Sequence, residues 1–137
     1  MTITTEVNLQ FSPNTSDAVP GMDAAFFAYL GAHGGAAFRR AVGFVGLDVY
    51  PGSIYPPVVS SGSGYRAALA QALGVVGDCL SPMARIRPRV PIWVTENGVP
   101  TGSLTESRQA AALSSLVRAA SDYARADNVT DYLVPPP

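Results

Sequence analysis

The sequence carries little charge. Only 14% of its 137 residues are Asp, Glu, Lys or Arg, whereas 47% are hydrophobic, and the net charge is −1. A typical soluble domain has about 25% charged residues. With no basic block and no acidic tail, the chain is poorly suited to bind nucleic acid or an anionic membrane. So low a charge content indicates either a bias toward alanine and glycine or a surface that a partner covers.

Residues that form disulfides or bind metals are equally scarce. Cys79 is the only cysteine, so no disulfide can form within the chain, and its apolar helical neighbours predict a buried structural thiol. His33 is the only histidine, and one histidine with one distant cysteine does not make a zinc site. The Gly-Ser-Gly of residues 62–64 has neither the lysine nor the spacing of a phosphate-binding loop. We therefore expect no metal and no cofactor.

Long hydrophobic runs are also missing. None approaches the roughly 18 residues that span a bilayer, so we expect no membrane partner. Residues 1–6 lack the basic and apolar regions of a secretory signal, which predicts a cytoplasmic protein by default. The length suits a single domain with its own core.

Four strand-like segments alternate with three helical ones. Residues 2–11, 44–50, 92–95 and 129–134 favour strands, and residues 23–42, 65–83 and 106–127 favour helices, the first of them broken at Gly34-Gly35. This β-α-β-α-β-α-β order predicts an α/β fold of parallel strands with right-handed crossovers. Four such strands form either a small open sheet or half of an eight-stranded barrel.

Helical periodicity predicts which side chains the two longer helices bury. The expected core positions of the helix over 65–83 are Leu69, Ala72, Leu73, Val76 and Leu80. Residues 103–106 have the spacing of a capping box at the start of the last helix. The expected core positions of that helix are Leu113, Leu116, Val117, Ala120 and Ala124.

Polar side chains gather where the second and third strands end, the edge at which parallel α/β sheets hold their ligands. Alternation places Asp48 and Tyr50 on one face of the second strand, and Glu96 ends the third. Glu96 is either an active-site carboxylate or a structural one that caps the next helix or pairs with an arginine. By the same alternation Trp93 should point away from Glu96 into the core. Asn97 either contacts a ligand or caps the following turn.

The sequence allows two interpretations of Asp48 as well. It either contacts a substrate or forms an ion pair with Arg66 or Arg39. Tyr55, in the Pro- and Ser-rich loop after the second strand, is placed to stack on a ligand at the rim of such a site.

Two segments together resemble the family 1 β-glycosidases, retaining glycoside hydrolases built on the (β/α)8 barrel. Residues 93–98 read WVTENG and resemble the family motif (I/V)TENG, whose glutamate ends strand seven and is the nucleophile. Residues 44–50 read FVGLDVY and resemble the family's strand six, F-(I/V)-G-(I/L)-N-x-Y, whose tyrosine hydrogen-bonds that nucleophile. The resemblance covers about residues 44–98. Asp48 stands where the family has asparagine, and residues 129–134 lack the tryptophan-bearing segment that follows strand seven.

The resemblance implies a role for each candidate residue. Glu96 would be the catalytic nucleophile, and Tyr50, Asp48, Asn97 and Tyr55 would bind a carbohydrate substrate. Residues 1–137 would form a single partial barrel domain that holds strands five to eight.

A retaining glycosidase also needs a second carboxylate about 5 Å from the first. In the family that acid/base comes from the end of strand four, which lies outside these four strands. We therefore expect an incomplete glycosidase, which pairs with a partner half barrel or with a second copy of itself. The alternative is a small non-catalytic α/β interaction domain in which the TENG segment is incidental.

Overall fold

The computed structural model describes residues 2–6, 21–50, 62–99, 101 and 105–126. The elements in order are β1 (Thr2–Glu6), α1 (Gly21–His33), α2 (Gly35–Ala41), β2 (Phe44–Val49), α3 (Gly62–Gly74), a π-helical turn (Val75–Leu80), α4 (Ser81–Met83), β3 (Ile92–Asn97) and α5 (Glu106–Ala126). The predicted α/β class is confirmed. The predicted fourth strand at 129–134 lies outside the described residues.

The three described strands form one parallel sheet in the order β1-β2-β3. β1 pairs with β2 from Thr2 opposite Phe44 to Glu6 opposite Asp48, and β2 pairs with β3 on its other side. Strands that neighbour one another in the chain are therefore neighbours in the sheet. Because crossovers between parallel strands are right-handed, this order places both crossovers on the same face.

One face of β2 forms the centre of the core. Val45, Leu47 and Val49 alternate along it and are at most 1% exposed. They belong to a single cluster that also contains Phe27 of α1 and Leu69 of α3. α3 packs on β2 and on α5, and α1 packs beside the π-helical turn and α4, so these helices form one layer. The five core positions predicted between residues 65 and 83 are all buried.

The buried stripe of α5 differs from the predicted one. Leu116 and Ala120 are buried as expected, but Leu113 and Val117 are 37% and 57% exposed. The stripe instead runs through alanines at positions 112 and 119, whose small side chains allow close approach to α3. The helix is capped by Thr105, whose hydroxyl accepts a hydrogen bond from the backbone N–H of Arg108.

The π-helical turn explains why Cys79 is not the buried thiol that its neighbours predict. Its side chain is exposed, whereas Val76 and Leu80 are buried. A π-helix closes i→i+5 hydrogen bonds and has a wider turn than an α-helix. Cys79, three positions after Val76, is therefore rotated off the buried face. Leu80, four positions after Val76, stays on that face. The sequence pattern assumed α-helical spacing throughout, which this turn does not have.

An ion pair links the surfaces of α3 and α5. Arg66 contacts Asp122, which also accepts a hydrogen bond from Arg125 at 2.6 Å. The hydrogen bond from Arg125 and the charge of Arg66 hold the pKa of Asp122 below its usual value. Arg66 is thus engaged with Asp122, so the alternative in which Asp48 pairs with Arg66 is wrong. None of the described helices is both long enough and apolar enough to cross a bilayer.

Candidate functional site

The site is centred on a hydrogen bond between two neighbouring strands. The Tyr50 hydroxyl, just after the end of β2, donates to Glu96 Oε2 of β3 at 2.6 Å. This is a short bond of the kind that hydroxyl groups make to carboxylates. Glu96 is exposed, so one of its oxygens is held by Tyr50 while the carboxylate remains open to a ligand.

A β-bulge places Glu96 on this face of the sheet. Leu47 pairs with Val94, but Asp48 pairs with Glu96, so β3 holds one extra residue, Thr95, at this point. In a regular strand the side chains of Thr95 and Glu96 would lie on opposite faces. Here both side chains contact residues of β2 or just after it, because the extra residue changes the direction in which the Glu96 carboxylate points. The bulge therefore turns Glu96 from the helix-packed face to the face that carries Asp48.

Asp48 lies beside Glu96 and is held by the residue that the bulge adds. The Thr95 hydroxyl donates to Asp48 Oδ1 at 2.6 Å. Residues directly opposite each other in paired strands have Cβ atoms about 5 Å apart, so the two carboxylates share one small area. Glu6 of β1 is in register with Asp48 on the other side. An acidic residue therefore occupies the same row in all three described strands.

Asn97 and Gly98 fix the end of β3. The Asn97 side-chain amide donates to the Val49 carbonyl at 2.8 Å, which ties β3 to β2 directly after the bulge. The Tyr50 ring lies beside the backbone of Gly98, where an added Cβ would be 3.4 Å from it, an ordinary contact. The described bond of the Asn97 amide nitrogen is thus to β2 and not to the following turn, and contact of Asn97 with a ligand stays a prediction.

An aromatic pair lies nearer the start of the strands on the same face. The rings of Phe44 and Trp93 stack with centroids 4.1 Å apart and planes 15° apart. Trp93 is in register with Gly46, which has no side chain to compete for the space. Since the bulge comes after Trp93, this residue and Glu96 share a face, and the expectation that Trp93 points into the core is wrong. Its buried indole nitrogen has no hydrogen-bond partner within the described part of the chain.

The structure thus brings together four of the five predicted site residues: Tyr50, Glu96, Asp48 and Asn97. Tyr55 lies outside the described residues. Sequence reasoning missed Thr95, because its contact with Asp48 depends on the bulge and no residue of WVTENG predicts a bulge. The described residues contain no group of three or more His, Cys, Asp or Glu arranged to hold a metal ion.

No family model, curated protein or solved structure matches this chain. The function is therefore inferred from the geometry of the site and from the two sequence segments that form it.

Proposed function

We propose that the chain is the C-terminal half of a (β/α)8-barrel retaining glycoside hydrolase, acts on a carbohydrate, and uses Glu96 as the nucleophile. The observation that carries the proposal is the hydrogen bond from Tyr50 to Glu96. Two sequence segments that resemble neighbouring barrel strands of family 1 would be expected to make this contact. A hydroxyl on one carboxylate oxygen keeps the carboxylate oriented and leaves the other oxygen free to attack.

The order of the strands supports a barrel over an open sheet. Doubly wound open sheets reverse their strand order, place helices on both faces and bind ligands at the point of reversal. The described sheet has no reversal, and its helices form a single layer. In a barrel the other face would point to the interior, where side chains fill successive layers. Phe44 and Trp93 would form one such layer, and Asp48 and Glu96 would form the layer above it.

The proposed chemistry uses Glu96 in a displacement at the anomeric carbon. One carboxylate oxygen forms a bond to that carbon as the bond to the leaving oxygen breaks, which gives a covalent glycosyl-enzyme. The leaving oxygen then needs a proton, and water needs a base to hydrolyse the intermediate. In the proposed enzyme both tasks fall to an acid/base on strand four, in the other half of the barrel.

Among the described elements, the helices pack on the other face of the sheet, so the face that carries Glu96 is the place where the other half would bind. Parallel sheets are almost always covered on both faces. In this chain Thr95 and Glu96 are exposed on that face, and the Trp93 indole nitrogen beside them is buried without a described acceptor. A partner half barrel, or a second copy of the chain, would close the barrel over these groups.

A substrate that needs no acid tests the nucleophile alone. A 2,4-dinitrophenyl glycoside has a leaving group that departs without protonation, so Glu96 should displace it even in the absence of the second half. We expect a burst of dinitrophenolate equal to the amount of protein, followed by slow release. Azide attacks without a base and should speed the slow phase, whereas phenyl glycosides should not be turned over.

Two variants give this experiment its controls. Glu96→Gln should abolish the burst, and Glu106→Gln, which changes an exposed carboxylate at the start of α5, should leave it unchanged. A release rate equal in the wild type and in Glu96→Gln would refute the nucleophile. Turnover of phenyl glycosides that Glu96→Gln removes would show that the chain holds its own acid. Asp48 and Glu6, in the row with Glu96, would then be the residues to replace.

A further inference from the structure

A second cleft lies at the opposite end of the sheet from Glu96. It has a volume of about 430 Å³, within the range of small-molecule sites. Ile92, the first residue of β3, contributes to its wall, and Glu96 lies four positions further along the extended strand, about 13 Å away. The cleft is therefore separate from the proposed sugar site. Its walls come from the π-helical turn and from the connector between α4 and β3.

Two unusual backbone features line this cleft, the π-helical turn and Arg89, and a third, Arg85, directly precedes the lining residue Ile86. The π-helical turn contributes Gly77 and Asp78, and such turns are frequent at functional sites. In the connector, Arg85 and Arg89 have positive φ angles of 54° and 71°. Positive φ strains any residue with a Cβ, so glycine or asparagine is the usual choice.

Hydrogen bonds show which kind of turn each arginine occupies. The Arg85 N–H donates to the Pro82 carbonyl, and the Ile86 N–H donates to the Ser81 carbonyl. These are the two hydrogen bonds of a Schellman motif at the end of a helix, in which Arg85 is the left-handed residue. Val90 donates to the Arg87 carbonyl at 3.2 Å, which closes a turn with Pro88 second and Arg89 third. Proline second and positive φ third define a type II turn, whose third residue is normally glycine.

Among the residues that the structure describes, the arginines of the connector form no ion pair. Arg87 donates only a long hydrogen bond, 3.4 Å, to the Val42 carbonyl. Neither Arg87 nor Arg89 pairs with an acidic side chain within the described residues. Both are exposed and line the cleft together with apolar groups of Ile86, Val90 and Ile92.

In the opposite wall, Tyr123 packs closely against a glycine of the π-helical turn. A Cβ on Gly77 would lie 2.7 Å from the Tyr123 hydroxyl and 3.5 Å from Ile92 Cδ1. Tyr123 donates to the Leu73 carbonyl at 3.3 Å, just before the π-helical turn. The tyrosine ring and the turn therefore approach closely only because residue 77 is glycine. Asp78 and Ser81 add polar groups to this wall.

We propose that this cleft binds a small molecule that carries a phosphate or carboxylate group on an apolar body. Arg87 and Arg89 bind the anionic group, the side chains of Ile86, Val90 and Ile92 contact the apolar body, and Ser81 and Asp78 are placed to bind a ligand hydroxyl. Arginine matches both kinds of anion through paired N–H donors. This role accounts for arginine at a position where glycine would relieve strain.

Calorimetric titration of the full chain tests the cleft. Phenyl phosphate and benzoate supply the two kinds of anion on one apolar body, inorganic phosphate supplies the anion alone, and phenol supplies the body alone. We expect saturable binding of phenyl phosphate or benzoate and weaker binding of inorganic phosphate. Phenol should not bind. Whichever of the first two binds more tightly identifies the anionic group.

Arg89→Gly distinguishes a loss of binding from a loss of folding, because we expect it to weaken binding and to stabilise the fold. It should weaken binding at least tenfold while raising Tm by about 2–4 °C, since glycine relieves the positive φ. Arg87→Gln should also weaken binding at least tenfold. Arg118→Gln removes an exposed arginine of α5 and should leave binding unchanged.

Three results would overturn the proposal: no saturable binding of phenyl phosphate or benzoate to the wild type, equal binding of phenol, or unchanged affinity in Arg89→Gly.

Discussion

Gly31→Ala is expected to lower the free energy of unfolding by about 3 kcal/mol, the upper part of the usual range for overpacking. A Cβ on Gly31 would meet the carbonyl oxygen of Met83 well inside van der Waals contact and would also crowd the Cα of Ala84. Both neighbours are backbone atoms, so no side chain can rotate to make room. Relief requires α1 to move away from α4. Urea unfolding followed by the fluorescence of Trp93, the only tryptophan, measures the change.

Gly74→Ala is the matched control for this prediction. Gly74 also has right-handed helical backbone angles, but the nearest atom to its added Cβ is Asp78 Oδ2 at 3.8 Å, an ordinary contact. Alanine has the higher helix propensity, so this variant should raise the free energy of unfolding by up to about 1 kcal/mol. If Gly31→Ala instead lies within about 0.5 kcal/mol of the wild type, the described packing of α1 on α4 is wrong.

Tyr50→Phe is expected to slow the dinitrophenolate burst by about 10- to 100-fold. The substitution removes the hydroxyl that donates to Glu96 and keeps the ring that lies against Gly98. A hydrogen bond to a charged group contributes about 1.5–3 kcal/mol, and each 1.4 kcal/mol lost from transition-state stabilisation is about tenfold in rate. Stopped-flow absorbance of the released dinitrophenolate gives the rate constant.

Tyr29→Phe provides the comparison for Tyr50→Phe. Tyr29 lies on α1, is 61% exposed and stacks near His33, away from the strand ends. Removal of the Tyr29 hydroxyl should leave the rate of the dinitrophenolate burst unchanged. Equal rates in the wild type and in Tyr50→Phe would mean that the described bond does not position the nucleophile.

The sequence predicts the sheet correctly where a short run of residues favours only one structure. The apolar residues 44–50 predict a strand, and the structure confirms it as β2, with Val45, Leu47 and Val49 buried on one face. The two strand-end motifs predict that Tyr50 and Glu96 meet across neighbouring strands, and they lie 2.6 Å apart. In each case a short stretch of sequence is enough to predict the observed feature.

Two of the errors come from local irregularities of the backbone. The extra residue in β3 exchanges the faces of all side chains that follow it, so regular alternation puts Glu96 on the wrong side relative to Trp93. The π-helical turn likewise changes the spacing after Gly74 and exposes Cys79. Neither irregularity has a sequence signature here, since each depends on how the strand or helix packs against its neighbours. Both lie at surfaces to which we assign a ligand.

The most direct test of the central claim is to identify the residue that carries a trapped sugar. A 2-deoxy-2-fluoro glycoside with a dinitrophenyl leaving group forms the covalent intermediate and slows its breakdown. Proteolysis and mass spectrometry then locate the label. We predict one sugar per chain, on Glu96 within residues 90–108. A label on any other residue, or no label on a folded chain, would contradict the account.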